Sequence, residues 1–224
     1  MGSVLETEFT LSKFSEFINN IKIYDDKYIS NFLLKYYLDV GLSKSIDEKL
    51  LIIISGGIAT GKSTIAYNLI KKYAHLFLPY ICCDIIYNNS YKNSHISFNK
   101  SYNKARKHTN KILKQLVLNN TSFIWETVFS KKKKELFLSK CKKLGYKIVS
   151  IFINVENCTC SIMRSSNRES NGNHCIDKTF IIDRHYKSLK SLKKLQELSD
   201  ISVIIDNTTT PIMLDYKDNR YVLH

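Results

Sequence analysis

The stretch LLIIISGGIATGKST, running from Leu50 to Thr64, decides the fold of this chain. It joins a short, continuous apolar run to a glycine-containing loop. An apolar run of this length, without polar alternation, is typical of a strand buried on both faces of a parallel sheet. The loop fits the pattern G-x-x-x-x-G-K-[ST], with Gly56, Gly61, Lys62 and Ser63 at its fixed positions. A strand, this loop and then a helix is the context in which the motif binds phosphate.

Each residue type in the loop has a physical reason. Glycines let the backbone curl so that several N–H groups face one phosphate, and the start of the next helix favours an anion. Lys62 supplies charge to the β- and γ-phosphates, and Ser63 offers an oxygen to Mg²⁺. We therefore expect ATP and Mg²⁺ as cofactors, with Ser63 as metal ligand and these residues binding the nucleotide: Gly56, Gly57, Ala59, Thr60, Gly61, Lys62, Ser63 and Thr64.

Beyond this loop, strand-like and helix-like segments alternate along the chain. Strands are predicted at 50–55, 78–84, 122–128, 147–155 and 201–206, and helices at 64–74, 98–118, 131–143, 158–168 and 176–198. The alternation predicts an α/β fold, a five-stranded parallel sheet with helices on both faces. Ligands of such sheets bind at the carboxyl ends of the strands, so residues that follow each strand are the candidates for a site.

The first 47 residues are predicted to form a helical appendage to a P-loop kinase domain at 48–224. Apolar residues recur at helical spacing in residues 9–40, which either dock on the domain or cover its nucleotide pocket; we favour docking. The chain shows no secretory signal and no stretch long enough to span a bilayer. We therefore expect a soluble, cytoplasmic protein that does not engage a membrane.

The net charge of +14 permits a nucleic-acid partner or an anionic small molecule. No RNA-binding signature or zinc-finger spacing is present, so nucleic acid is not the expected partner. The densest basic run, Lys131–Lys134, stands at a predicted helix start and is expected to be a solvated face. The six cysteines form no C-x-x-C pair, which argues against a zinc site, and no secretory signal supports disulfides.

Acidic residues end two of the predicted strands. Asp84 ends the second strand, where it either accepts a proton from an acceptor hydroxyl, caps a helix or contacts a Mg²⁺-bound water. Glu126 and Thr127 follow the apolar run of the third strand. A buried Glu needs a partner such as a substrate hydroxyl, a lysine or a metal-bound water; the alternative is a surface Glu at a loop start.

Arginines cluster after the fourth strand. Arg164 and Arg168 are spaced i, i+4 and so share one helical face, and Arg184 follows on the next helix. Arginine suits bidentate contact with phosphate and the charge that develops in phosphoryl transfer, so we interpret the segment as an arginine-bearing lid. His174 lies between these helices, as a loop cap or a substrate contact. Ordinary surface arginines are the alternative.

These segments together resemble the zeta toxins, UDP-N-acetylglucosamine kinases of toxin–antitoxin systems, and their relatives. The resemblance covers about residues 48–210. It rests on the loop GGIATGKST, on Asp84 within ICCDIIY, on SFIWETVFS at 122–130, on RSSNRESNGNHCID followed by IIDRHYKSLKSL, and on VIIDNTT at 203–209. The second arginine-containing segment and the last strand end are features that a generic P-loop kinase does not need.

The resemblance implies ATP-dependent phosphorylation of an amino-sugar nucleotide, with an antitoxin protein as a possible partner. Carried onto this chain, Lys62 and Ser63 would hold ATP and Mg²⁺, and Asp84 would deprotonate the acceptor hydroxyl. Glu126 and Thr127 would lie by the sugar, and the arginines would stabilise phosphates. Two other functions stay open from the sequence: an antibiotic or metabolite O-phosphotransferase of the same fold, and a nucleotide-dependent regulator that binds nucleic acid.

Overall fold

The computed structural model describes residues 49–72, 78–93, 96–170 and 176–209, and the backbone of 212–218. The predicted appendage at 1–47 and the candidate His174 lie outside these residues. Within them, no helix is long and apolar enough to cross a membrane. In chain order the elements are β1 (Leu50–Gly56), α1 (Lys62–Lys72), β2 (Tyr80–Cys82), α2 (Cys83–Ser90), α3 (Phe98–Leu118), β3 (Phe123–Glu126), α4 (Lys132–Lys143), β4 (Lys147–Asn154), α5 (Cys158–Ser170), α6 (Lys178–Lys190), α7 (Leu192–Leu198), β5 (Ile201–Asp206) and β6 (Ile212–Asp218).

The predicted five-stranded parallel sheet is confirmed, with one addition. The strand order is β2-β3-β1-β4-β5-β6, and the first five strands are parallel. β6 runs antiparallel to β5, with Ile201 opposite Asp218. Its sequence, IMLDYKD, was not predicted as a strand because charged residues interrupt it, a pattern that an edge strand tolerates. The central β1 places the phosphate loop between β3 and β4, where the chain order reverses.

Each face of the sheet carries its own apolar core. Side chains alternate along β1, so that Ile52 and Ile54 enter one core while Leu51 and Ile53 enter the other. The first core includes Ile65 and other residues of α1. The second is built with residues of α3, α4 and α7. A strand buried on both faces explains why the run at Leu50 reads as continuously apolar.

Two predicted boundaries are wrong. β2 is only Tyr80–Cys82, and the apolar residues that follow it belong to α2. Asp84 therefore lies in the first turn of a helix instead of at the end of a strand. The helix predicted at 176–198 is divided at Ser191 into α6 and α7. Gly145, which follows the C-cap of α4, has a φ of +85°, the left-handed conformation that favours glycine at this position.

Candidate active site

The phosphate loop folds back on its own lysine. The ammonium of Lys62 donates to the carbonyl oxygen of Gly57, which also accepts from the Thr60 hydroxyl at 3.2 Å. Lys62 is buried, and burial lowers its pKa, while the carboxylates of Glu126 and Asp84 act in the opposite direction. The lysine is therefore bound to the loop and lies within the electrostatic influence of two acids.

Close packing explains two of the loop glycines. Gly56 has a φ of +140°, and a Cβ there would lie 2.2 Å from the carbonyl oxygen of Ile153 on β4. Gly61 has a φ of +97°, and a Cβ there would lie 2.3 Å from the side-chain nitrogen of Asn207. That nitrogen donates to the carbonyl of Thr60 at 2.9 Å. The segment after β5 thus fixes the loop from the side.

Glu126 lies beside the phosphate loop. Its carboxylate accepts a hydrogen bond from Ser63 Oγ at 3.1 Å and another from the hydroxyl of Tyr80. Only 6% of Glu126 is exposed, and burial raises its pKa, with Lys62 and the Tyr80 hydroxyl opposing that shift. β3 ends at this residue, so the sheet itself delivers the carboxylate to the loop. The resemblance implied a place by the sugar for Glu126; its hydrogen-bond partners in the structure are Tyr80 and Ser63, the serine expected to bind the metal.

Asp84, in the first turn of α2, is near enough to Lys62 for its charge to raise the pKa of the lysine. It is exposed, and the hydroxyl of Tyr102 on α3 donates to its Oδ1. Its charge acts on Lys62 and on Glu126, so the two carboxylates and the lysine form one electrostatic group. Burial and the neighbouring Asp84 raise the pKa of Tyr102 strongly, so its hydroxyl stays a hydrogen-bond donor.

The two arginines of α5 have different surroundings. Arg164 donates from one nitrogen to the carbonyls of Asn207, at 2.6 Å, and Thr208, at 3.0 Å. Its other terminal nitrogen is buried without a hydrogen-bond partner. Arg168, one turn further on, is close enough to lower the pKa of Lys62 by charge repulsion. Arg164 therefore ties α5 to the segment after β5, and Arg168 brings charge to the phosphate loop.

A second basic group surrounds the segment after β3. Lys134 donates to the Thr127 hydroxyl and to the carbonyl of Val128, the latter at 2.5 Å. Arg184 of α6 donates to Ser130 Oγ at 3.2 Å, and its guanidinium lies 4.6 Å from the ring centre of Phe180. The predicted solvated face holds for Lys131–Lys133, which are exposed, but it is wrong for Lys134, which turns inward.

Several residues near the site were not singled out from the sequence. Tyr80 and Tyr102 hold the two carboxylates, and Asn207 holds the loop. His185 is buried with its Cα 3.5 Å from where a Cβ on Gly57 would lie, and burial lowers its pKa. Only Asn207 and His185 stood in segments that had drawn attention. The tyrosines carried no signal, because a tyrosine in a strand or helix is usually a core residue.

A family model described as Zeta toxin matches residues 38–219. No curated protein sequence matches the chain. The match spans the phosphate loop, both carboxylates and all three arginines. It therefore covers every described residue of the candidate site.

Solved structures with the same fold are distant in sequence. One from the PezAT chromosomal toxin–antitoxin system of Streptococcus pneumoniae has a TM-score of 0.60 at 15% identity, over 88% of this chain and 83% of that one. AvrRxo1-ORF1:-ORF2 with ATP gives 0.63 at 12% identity, over 97% and 74%. A candidate kinase from Chloroflexus aurantiacus gives 0.52 at 15% identity, over 71% and 86%. These likenesses establish a P-loop kinase-like fold.

Proposed function

The chain belongs to the zeta toxin family, and from that premise we propose that it transfers the γ-phosphate of ATP to a hydroxyl of an amino-sugar nucleotide such as UDP-N-acetylglucosamine. The coarser part, a phosphotransferase of P-loop kinase type, has the support of both family and fold. One observation carries the proposal: Glu126, at the end of β3, accepts a hydrogen bond from Ser63 of the phosphate loop, and the charges of Glu126 and of Asp84, in the first turn of α2, both act on Lys62.

The residues beside the loop fit a magnesium ion. Ser63 Oγ and Glu126 Oε1 are hard oxygen donors 3.1 Å apart, and Mg²⁺ prefers oxygen. The described ranges hold no cluster of three or more metal-binding side chains. Mg²⁺ in kinases commonly takes one or two protein ligands, and the nucleotide phosphates and water complete its shell. When bound, the ion would neutralise charge on the β- and γ-phosphates. Ser63 would be its ligand, and Glu126 would orient Ser63 or a coordinated water.

Asp84 is the proposed general base. One carboxylate oxygen is taken by Tyr102, which leaves the other to accept the proton of the acceptor hydroxyl. As that proton leaves, the acceptor oxygen bonds to the γ-phosphorus and the bond to the ADP oxygen breaks. The exposed position of Asp84 suits this role, because an acceptor must reach it from solvent.

Cations would stabilise the transferring phosphoryl group. Lys62 would meet the β- and γ-phosphates, and Arg168 is the lid arginine whose charge already acts at Lys62. Arg164 would orient α5 through its bonds to the segment after β5, and a phosphate would satisfy its buried free nitrogen. Arg184 and Thr127 would contact the acceptor, as would His174 from outside the described residues.

A protein partner is part of the proposal. The PezAT structure comes from a toxin–antitoxin system, and AvrRxo1-ORF1 is paired with ORF2. We propose that this chain likewise has an inhibitory partner and acts in the cytoplasm, where sugar nucleotides are made. Co-expression with the product of the adjacent gene, followed by co-purification, would test the pairing.

Replacement of Asp84 by Asn tests the chemistry. We expect ATP binding, measured by calorimetry, to stay unchanged, and phosphate transfer to fall by about 10²–10⁴-fold because no base accepts the proton. Transfer is followed by mass spectrometry of UDP-N-acetylglucosamine and of a panel of hydroxylated metabolites. Full activity of the Asp84→Asn protein would remove Asp84 from this role. Product on another acceptor alone would keep the kinase and replace the sugar nucleotide.

A further inference from the structure

Four cations from three helices converge beside the segment after β3: Arg106 of α3, Lys131 and Lys134 at the start of α4, and Arg184 of α6. We call them the Lys134 cluster. Lys134 and Arg184 both donate to the segment after β3, at Thr127, Val128 and Ser130, and Arg106 and Lys131 are near enough for their charges to act on Lys134. Lys131 also feels Lys187, and Lys187 and Arg184 share a single carboxylate, Asp183, at 2.7 and 3.8 Å.

The centre of the cluster has no counter-charge. The partners of Lys134 are the Thr127 hydroxyl, the Val128 carbonyl and the ring of Trp125, whose centre is 5.9 Å from its nitrogen. Among the described residues, no carboxylate lies within salt-bridge distance of Lys134, Lys131 or Arg106. Burial and the surrounding cations lower the pKa of Lys134 to about 7. A buried amine among like charges costs stability, which is the usual mark of a functional constraint.

The donors of the cluster are only partly used. An ammonium has three N–H donors, and two of those of Lys134 are engaged, so one remains for a ligand. Arg184 makes one hydrogen bond, to Ser130, and a contact at 3.8 Å with Asp183, out of five possible donors. Arg106 lies with its guanidinium 4.9 Å from the ring centre of Tyr102.

The cluster adjoins the proposed base. Tyr102 contacts Arg106 through its ring and donates to Asp84 through its hydroxyl. Thr127, the partner of Lys134, directly follows Glu126 on the chain. The phosphate loop has a separate cation, Arg168, whose charge acts on Lys62. The basic groups therefore form two sets. One lies at the phosphate loop, and the other lies next to Tyr102, whose hydroxyl donates to Asp84.

We propose that the Lys134 cluster is a second anion-binding site, which holds a phosphate or diphosphate group of the acceptor while the acceptor hydroxyl faces Asp84. The assignment of the anion to the acceptor rests on the proposed function; the site itself does not. A bound dianion would replace the missing counter-charge and take up the free donors of Lys134 and Arg184. The site selects phosphorylated acceptors and rejects cationic ones, such as amino-sugar antibiotics.

Pyrophosphate is the probe for the site. The phosphate loop is first filled with a non-hydrolysable ATP analogue and Mg²⁺, so that pyrophosphate cannot bind there. We expect calorimetry to show one further pyrophosphate bound by the wild-type chain and affinity at least about tenfold lower in Lys134→Met, because one charge-assisted hydrogen bond is lost. Lys132→Met is the matched control, since it removes the same charge from an exposed position of the same helix.

Two results would overturn the site: no pyrophosphate binding by the wild-type chain, or equal affinity in Lys134→Met and Lys132→Met. Arg184→Gln provides a second variant that leaves Lys134 in place, and it must weaken binding too. With a transferable acceptor, Lys134→Met must raise the KM of the acceptor and leave the KM of ATP unchanged. Failure of the ATP analogue to bind would contradict the proposed function, whereas a difference in pyrophosphate affinity between Lys134→Met and Lys132→Met would still report on the cluster.

Discussion

The phosphate loop and the Lys134 cluster both carry basic side chains. The loop lysine, Lys62, has carboxylates near it, whereas the centre of the Lys134 cluster has none among the described residues. Lys62 is buried, and the charges of Glu126 and Asp84 favour its charged form. Lys134 is surrounded by cations, and they favour its neutral form. A lysine whose charge is offset by nearby carboxylates suits a ligand that brings its own metal ion, as ATP does. A lysine surrounded by other cations needs an anionic ligand to supply the missing negative charge. Under our proposal, this difference separates the nucleotide site from the acceptor site.

The largest effect is expected at the phosphate loop, from the substitution Glu126→Gln. The amide keeps the shape but removes the charge that faces Ser63 and Lys62. We expect the Mg²⁺ concentration for half-maximal activity, and that for Mg²⁺-dependent ATP binding, to rise about 10- to 100-fold, as for other residues that orient metal ligands. Glu197→Gln, which removes an exposed carboxylate on α7, should change neither. An unaltered Mg²⁺ requirement in Glu126→Gln would place the residue on the acceptor side.

A second test concerns the backbone of the phosphate loop. In Gly61→Ala the added methyl group would clash with the side chain of Asn207, and the alanine would have to adopt the φ of +97° that Gly61 has. We expect ATP binding to be lost and the free energy of unfolding to fall by about 1–3 kcal/mol. Gly145→Ala is the control: its φ is +85° but nothing lies within 4 Å of the added carbon. It should cost about 1 kcal/mol and leave ATP binding intact. Equal ATP binding in both variants would show that the Asn207 contact does not shape the loop.

The last test concerns the Lys134 cluster and measures how stability depends on pH. Lys134 faces Arg106, Lys131 and Arg184, with only Cys83 acting in the opposite direction, and its pKa falls from 10.5 to about 7. Between these values the unfolded chain binds a proton that the folded chain does not. The free energy of unfolding therefore rises with pH across this window, by up to about 1.4 kcal/mol per pH unit.

Urea unfolding of the wild type and of Lys134→Met, at pH 7 and at pH 9 without anions, measures this contribution. The variant should be the more stable protein at pH 7, and its stability should rise less between the two pH values. If the free energy of unfolding depends equally on pH in both proteins, folding does not lower the pKa of Lys134. Pyrophosphate, added with the ATP analogue and Mg²⁺, should stabilise the wild type more than the variant at pH 7, because the wild type binds it more tightly.

Much of the site was predictable because strand ends are visible in sequence. The apolar run before Gly56, the phosphate loop and the carboxylate that ends β3 all follow from local pattern. Lys134 was not predictable, because four consecutive lysines carry no sign of which one turns inward. Asp84 was found, but on the wrong element. The predicted strand continued through Cys83 to Asp84, whereas β2 ends at Cys82 and α2 begins at Cys83.

The sequence by itself determined the nucleotide end of this protein, because a phosphate loop is a local structure whose residues are adjacent in the chain. It also predicted the five parallel strands in chain order, through their apolar runs, although α2 and β6 were not predicted. Only the tertiary structure decided the partners: Tyr80 for Glu126, Tyr102 for Asp84, and three cations for Lys134. These contacts join different elements, and their energies depend on burial and on distance, neither of which a linear pattern contains.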